Sequence, residues 1–186
     1  MNFKSWYLFL AIPLLVIPLA WAFQGNTKRF YELSPSKELT RPQPKDYQSW
    51  RGAGSSVIPN DRNNNKALFP GIHQVYIDPV AWQYRQEKGV FPDGTIIVME
   101  VKHMGFKESE GGYGYFTTGG QDLLVQIKDR RVFSGSGWGY YAYYDQEIKK
   151  GKTVASPQDN RCASCHQAGA GDDEVFTQYY PDLKAP

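Results

Sequence analysis

The residues with the most chemistry in them are Cys162, Cys165 and His166, in the run Cys162-Ala163-Ser164-Cys165-His166. The chain has two cysteines and three histidines in 186 residues, and this pentapeptide holds both of the former and one of the latter. Two thiols separated by two residues and followed directly by an imidazole form the C-x-x-C-H signature of covalent haem c attachment. Each thiol can add across one porphyrin vinyl group, and the adjacent His166 then falls beneath the iron as its proximal, metal-ligating residue. Two other chemistries use a C-x-x-C pair. A thioredoxin-like dithiol would open a helix after an early strand, whereas this pair lies near the C-terminus with no βαβ pattern around it. A disulfide across so short a loop stabilises little. An exported domain without haem, in which Cys162 and Cys165 form a redox pair, is the rival reading.

Composition narrows the setting. Two cysteines exclude a disulfide-rich scaffold and a four-thiolate zinc or iron–sulfur site. Lys and Arg number 21 against 19 Asp and Glu, a net charge of +2, so no nucleic-acid partner is expected. Aromatic residues make up 15% of the chain, which favours strands and supplies a core. A mean hydropathy of −0.55 excludes a polytopic membrane protein.

The N-terminus carries an address. Lys4 precedes an uncharged run from Trp6 to Ala22, which ends in the small-x-small sequence Ala20-Trp21-Ala22. This pattern predicts a signal peptide over residues 1–22, cleaved after Ala22, and a periplasmic protein, the compartment where bacteria attach haem covalently. The alternative is an uncleaved N-terminal membrane anchor facing the periplasm, since the run approaches the length of a bilayer span. Pro13 and Pro18 favour cleavage.

The elements that must position the motif follow. Residues 23–43 form an extended, weakly ordered lead-in, and residues 44–186 form one haem domain. Pro44 to Trp50 is a short helix with Tyr47 and Trp50 on one face. Gly52 to Lys66 has a loop signature. Residues 72–77 form a strand, and Asp78-Pro79 caps a helix that runs to about Lys88 and ends at Gly89. Thr95–Val101, Tyr113–Phe116, Leu123–Ile127 and Trp138–Tyr144 are further strands. Asp172-Asp173-Glu174 caps and starts a last helix. The fold class is α+β: mostly antiparallel β-sheet with a few short helices, the haem attached near the C-terminus.

From about Pro44 to Pro181 the chain resembles the cytochrome P-460 family, which includes the cytochromes c′-beta. The resemblance rests on four stretches in order: Val75-Tyr76-Ile77-Asp78-Pro79, Phe91-Pro92-Asp93-Gly94-Thr95, Cys162 to His166, and Val175-Phe176-Thr177-Gln178-Tyr179-Tyr180-Pro181. It implies one covalent haem, a homodimer, a periplasmic location and an open or weakly occupied sixth iron position that binds a diatomic gas such as nitric oxide or another small nitrogen oxide.

Within that family, cytochromes P-460 oxidise hydroxylamine and carry a lysine cross-linked to the porphyrin edge. The resemblance puts that lysine four positions beyond the threonine of Asp93-Gly94-Thr95, where this chain has Met99. Lys102 is near, but strand alternation sends it to the opposite face from Met99. The glutamate that accepts a proton in that reaction aligns with Leu124, which cannot. Both departures argue against the enzyme and for a gas-binding or electron-transferring cytochrome.

His73, His103 and Met104 are, with Met99, the other side chains that could reach the iron. Met99 is expected at the haem edge, as an apolar sheet contact rather than a ligand. His73 is a candidate distal polar group, and otherwise a hydrogen-bonded strand histidine. His103 is expected to be exposed. The basic cluster Lys149-Lys150-Gly151-Lys152 could dock an acidic redox protein partner, or be a solvated loop.

Overall fold

The structure is a computed structural model that describes residues 29–158 and 161–185. The expected signal peptide at residues 1–22 and the first part of the lead-in lie outside the described residues.

The sheet is built from the β-branched and aromatic runs. Strands β1 (Leu39–Thr40), β2 (Arg51–Ile58), β3 (Gly71–Ile77), β4 (Ile96–Ser109), β5 (Gly112–Lys128), β6 (Trp138–Tyr143) and β7 (Val154–Ala155) are interleaved with short helices α1 (Pro44–Tyr47), α2 (Pro79–Lys88), α3 (Asp145–Lys149) and α4 (Cys162–Gly169). Five strands form one sheet in the order β2-β3-β4-β5-β6, each neighbour antiparallel, while β1 pairs with β7. The expected α+β class, dominated by antiparallel sheet, is the observed one.

Alternation divides the core into two. On one face Ile96, Val98, Leu123, Val125, Ile127, Tyr141 and Tyr143 pack with Tyr31, Leu39 and Tyr47. On the other, Val75, Ile77, Ile97, Trp138 and Tyr140 pack with Ala81 and Phe91 and with Val175, Tyr180 and Leu183 of the C-terminal segment. Met99, Cys162, Ala163 and Phe176 lie against this second core.

Helix α2 follows its sequence signals. The Asp78 side chain accepts the Ala81 N–H at 2.8 Å, and Gly89 ends the helix in the left-handed region at φ 72. Inside it, buried Arg85 donates to the Leu183 and Gly89 carbonyls, pairs with Asp172 and lies 4.3 Å from the Phe91 ring centroid. The helix thereby ties the C-terminal segment to the sheet.

Four expectations are corrected. The loop expected from Gly52 begins as strand β2, whose small residues leave room for Tyr180: a Cβ on Gly54 would lie 3.3 Å from that ring. Tyr113–Phe116 and Leu123–Ile127 belong to one long strand, β5, rather than two. The described part of the lead-in is packed rather than weakly ordered, with Tyr141 and Tyr143 donating to the Lys37 and Leu39 carbonyls and Leu39 buried. Finally, no helix starts at Asp172-Asp173-Glu174. These residues form a tight turn closed between Asp172 and Val175, with positive φ at both Asp173 (48) and Glu174 (57).

Candidate functional site

The C-x-x-C-H run folds as α4, which presents Cys162 half-buried against the second core and Cys165 exposed. The two are not joined to each other as a disulfide, and burial pushes the Cys162 thiol above its ordinary range. His166, on the same helix, lies between two rings: Tyr140 of β6 at 4.6 Å and Phe176 at 4.7 Å between centroids.

The imidazole is held from behind. Its Nδ1 lies 2.7 Å from the Glu174 carbonyl oxygen. A carbonyl only accepts, so Nδ1 carries the proton and Nε2 keeps its lone pair. Burial lowers the basicity of His166 and favours the neutral form, the one that ligates metals. A ligating histidine usually gives its second N–H to such a carbonyl, which fixes both tautomer and ring orientation. Among the described residues no group of three His, Cys, Asp or Glu side chains could cage a metal ion. The residues fit a haem: Cys162 and Cys165 would hold the porphyrin, His166 Nε2 would ligate its iron, and the half-buried apolar residues Met99 and Phe176 pack on the same core as Cys162.

The turn that supplies the carbonyl is itself anchored to the sheet. The Glu174 carboxylate accepts from the Tyr140 hydroxyl at 2.7 Å, and its carbonyl accepts a second bond from Gln126 Nε2 at 2.9 Å. Asp173 accepts from Trp138 Nε1 at 3.2 Å and pairs with Lys128. Gln126 faces Tyr140, and Lys128 faces Trp138, in the β5–β6 register.

Next to the row Ile77–Ile97–Gln126–Tyr140 runs the row Val75–Met99–Leu124–Ala142, and beyond it His73–Val101–Asp122. Register therefore brings Met99 and Leu124 together as direct neighbours on the face that carries α4. The Met99 sulfur accepts a weak bond from the Tyr180 hydroxyl at 3.9 Å, as a packed sheet residue would. Lys102 turns to the opposite face, its Nζ 3.6 Å from Glu100 Oε2.

His73 shares the face of Met99, one row away. It is buried, its Nε2 donates to the Phe69 carbonyl at 2.7 Å, and desolvation lowers its basicity. His103 sits at a bulge in β4, half-exposed, with Nε2 3.3 Å from Asp122 Oδ2. In the basic cluster, Lys149 pairs with Asp145 at 2.7 Å and Lys152 with Glu147 at 2.9 Å, so local ion pairs occupy two of its three lysines. Cavities of about 560 Å³ beside Tyr31 and about 290 Å³ beside Trp82 are lined by none of the site residues.

Sequence reasoning missed Glu174 and Gln126 as parts of the site, and left the run Trp138–Tyr144, which holds Tyr140, open between a haem pocket and a sheet core. The available signal was polar Gln126 and Lys128 at every second position of an otherwise apolar strand end.

No curated protein matches the chain in sequence. The sequence model of the cytochrome P460 family matches residues 44–177, from α1 through the turn that backs His166. That span is well over half of the chain, and the protein belongs to the cytochrome P460 family.

Proposed function

We propose that this protein is an exported mono-haem c-type cytochrome, with Cys162 and Cys165 holding the porphyrin covalently and His166 as the proximal ligand. The observation that carries the proposal is the Nδ1–H bond from His166 to the Glu174 carbonyl, which leaves Nε2 free to ligate. When bound, the haem supplies an iron that can hold a diatomic gas such as nitric oxide or pass a single electron. The chain's own residues do the rest. α4 presents both thiols, Tyr140 and Phe176 flank the imidazole, and Met99 and Leu124 stand side by side in the sheet row next to that of Tyr140.

The same pair favours gas binding or electron transfer over hydroxylamine oxidation. A thioether and an isobutyl group stand where resemblance places the cross-linking lysine and the proton-accepting glutamate, and neither can cross-link as an amine or take a proton. His73 is the candidate polar group one row farther on, fastened as a donor rather than offered as a ligand.

The optical spectrum of the purified ferric protein, made with haem-attachment machinery, tests these assignments. A high-spin spectrum that changes with nitric oxide is expected for gas binding. A low-spin spectrum would move the proposal to electron transfer. A ferrous Soret band shifted far to the red would signal a ring cross-link and restore the hydroxylamine reading. No haem stain on a denaturing gel would overturn covalent attachment.

A further inference from the structure

The Glu174 carbonyl accepts two hydrogen bonds, one from His166 Nδ1 at 2.7 Å and one from Gln126 Nε2 at 2.9 Å. It sits in a turn whose two central residues, Asp173 and Glu174, both occupy the left-handed region without being glycine. Such a conformation is strained for a residue with a Cβ and persists only where the surroundings over-determine it. Here they do. Two neighbouring cross-strand pairs grip the turn by its side chains and its backbone: Lys128 and Trp138 hold Asp173, while Gln126 and Tyr140 hold Glu174. Arg85 of α2 holds Asp172 from the other side.

We infer that this gripped turn is a tuning device for the proximal histidine, with Gln126 and Tyr140 as its positioning residues; the inference rests on the proposed ligation by His166. Tyr140 fixes where the carbonyl stands. Gln126 sets how strongly that carbonyl accepts, because a second donor on one oxygen weakens the first bond. A stronger Nδ1–H···O bond makes the imidazole a more basic ligand and favours ferric iron; a weaker one favours ferrous. The two positions thus act with opposite signs.

The test uses the haem-loaded protein and two variants, Gln126→Met and Tyr140→Phe. Each is near-isosteric, and the second keeps the ring packed on His166. Two quantities are measured: the reduction potential, and the solvent-exchange rate of the His166 ring proton by NMR. Gln126→Met is expected to raise the ferric-to-ferrous ratio at fixed poise, on the order of threefold, and to slow exchange of that proton. Tyr140→Phe is expected to lower the ratio and to speed exchange. If both variants lose thermal stability but keep wild-type potential and exchange, the turn is structural only and the inference fails. Shifts of the same sign in both variants overturn the sharing argument. Should one variant fail to accumulate, the other still decides, because each has its own predicted sign. A wild-type protein without covalent haem, or one whose spectrum His166→Gly leaves unchanged, overturns the ligation reading instead.

Discussion

His73 occupies a buried strand position, where its Nε2 donates to the Phe69 carbonyl. Desolvation lowers its folded pKa below the ordinary 6.5. The unfolded chain therefore binds more protons over the interval between the two values, and stability falls as pH drops through that interval. Urea unfolding between pH 8 and 5 should show the loss setting in near pH 6.5, at up to about 1.4 kcal/mol per pH unit. His73→Gln should flatten that slope. On the other face, Glu100 Oε1 accepts from the Tyr47 hydroxyl at 2.7 Å, Gln48 at 2.9 Å and Gln121 at 3.3 Å. Among the described residues its Oε2 has no hydrogen-bond partner, and Lys102 at 3.6 Å is an ion-pair neighbour only. Glu100→Gln keeps the acceptor and should change stability by no more than about 1 kcal/mol. Glu100→Leu strands the buried Tyr47 hydroxyl and should cost about 2–4 kcal/mol in denaturant unfolding.

At the scale of elements, Asp78 does two things with one carboxylate. Oδ1 caps α2, and Oδ2 accepts the Ile96 N–H at 2.9 Å, pinning the start of β4 to the start of the helix. Asp78→Asn keeps the cap but turns an amide donor toward the Ile96 N–H, and should cost about 2 kcal/mol in thermal or urea unfolding. The cap was legible in Asp78-Pro79, because capping is a local interaction. The bond to Ile96 was not, because it spans the gap between two elements. Strand β2 was hidden for a related reason. Gly52, Gly54, Ser55 and Ser56 have loop propensities, which pairing with β3 and the space required by Tyr180 override. The acidic run at 172–174 looked like a helix start because acidic residues favour helix N-termini. Its partners, Arg85, Lys128, Trp138 and Tyr140, lie 34 to 87 residues away and make it a turn instead. The C-x-x-C-H motif is legible because its chemistry lies in adjacent positions, whereas Gln126 and the Glu174 carbonyl behind His166 are not, because they come from another strand and a distant turn.

For the whole molecule, the sheet is a partition with a separate core on either side. The core away from α4 is completed by residues that precede the family match, among them Tyr31 and Leu39. Leu39→Ala should cost about 2–4 kcal/mol, and a chain starting at Pro44 should unfold at much lower denaturant than the full chain. The homodimer implied by resemblance is a proposal about the same scale. Sedimentation of the haem-loaded protein should give twice the mass of the mature chain, and a single monomeric species at tens of micromolar would refute it.

The partition also has a consequence for descent. Met99 and Glu100 are neighbours in β4 but serve opposite faces, and the same is true of Leu123 and Leu124 in β5. A one-codon insertion or deletion upstream in either strand would exchange the two sets: in β4 it would bring the Glu100 carboxylate to the α4 side, and in β5 it would turn the Asp122 carboxylate away from that side and put Gln126 into the opposite core. Substitution at positions 99, 101, 122 and 124 can therefore rewrite this surface and leave the opposite core alone, whereas a length change in either strand disturbs both faces. Gene-wide scanning should find positions 96–101 and 122–128 tolerant of selected replacements and intolerant of every single-residue indel.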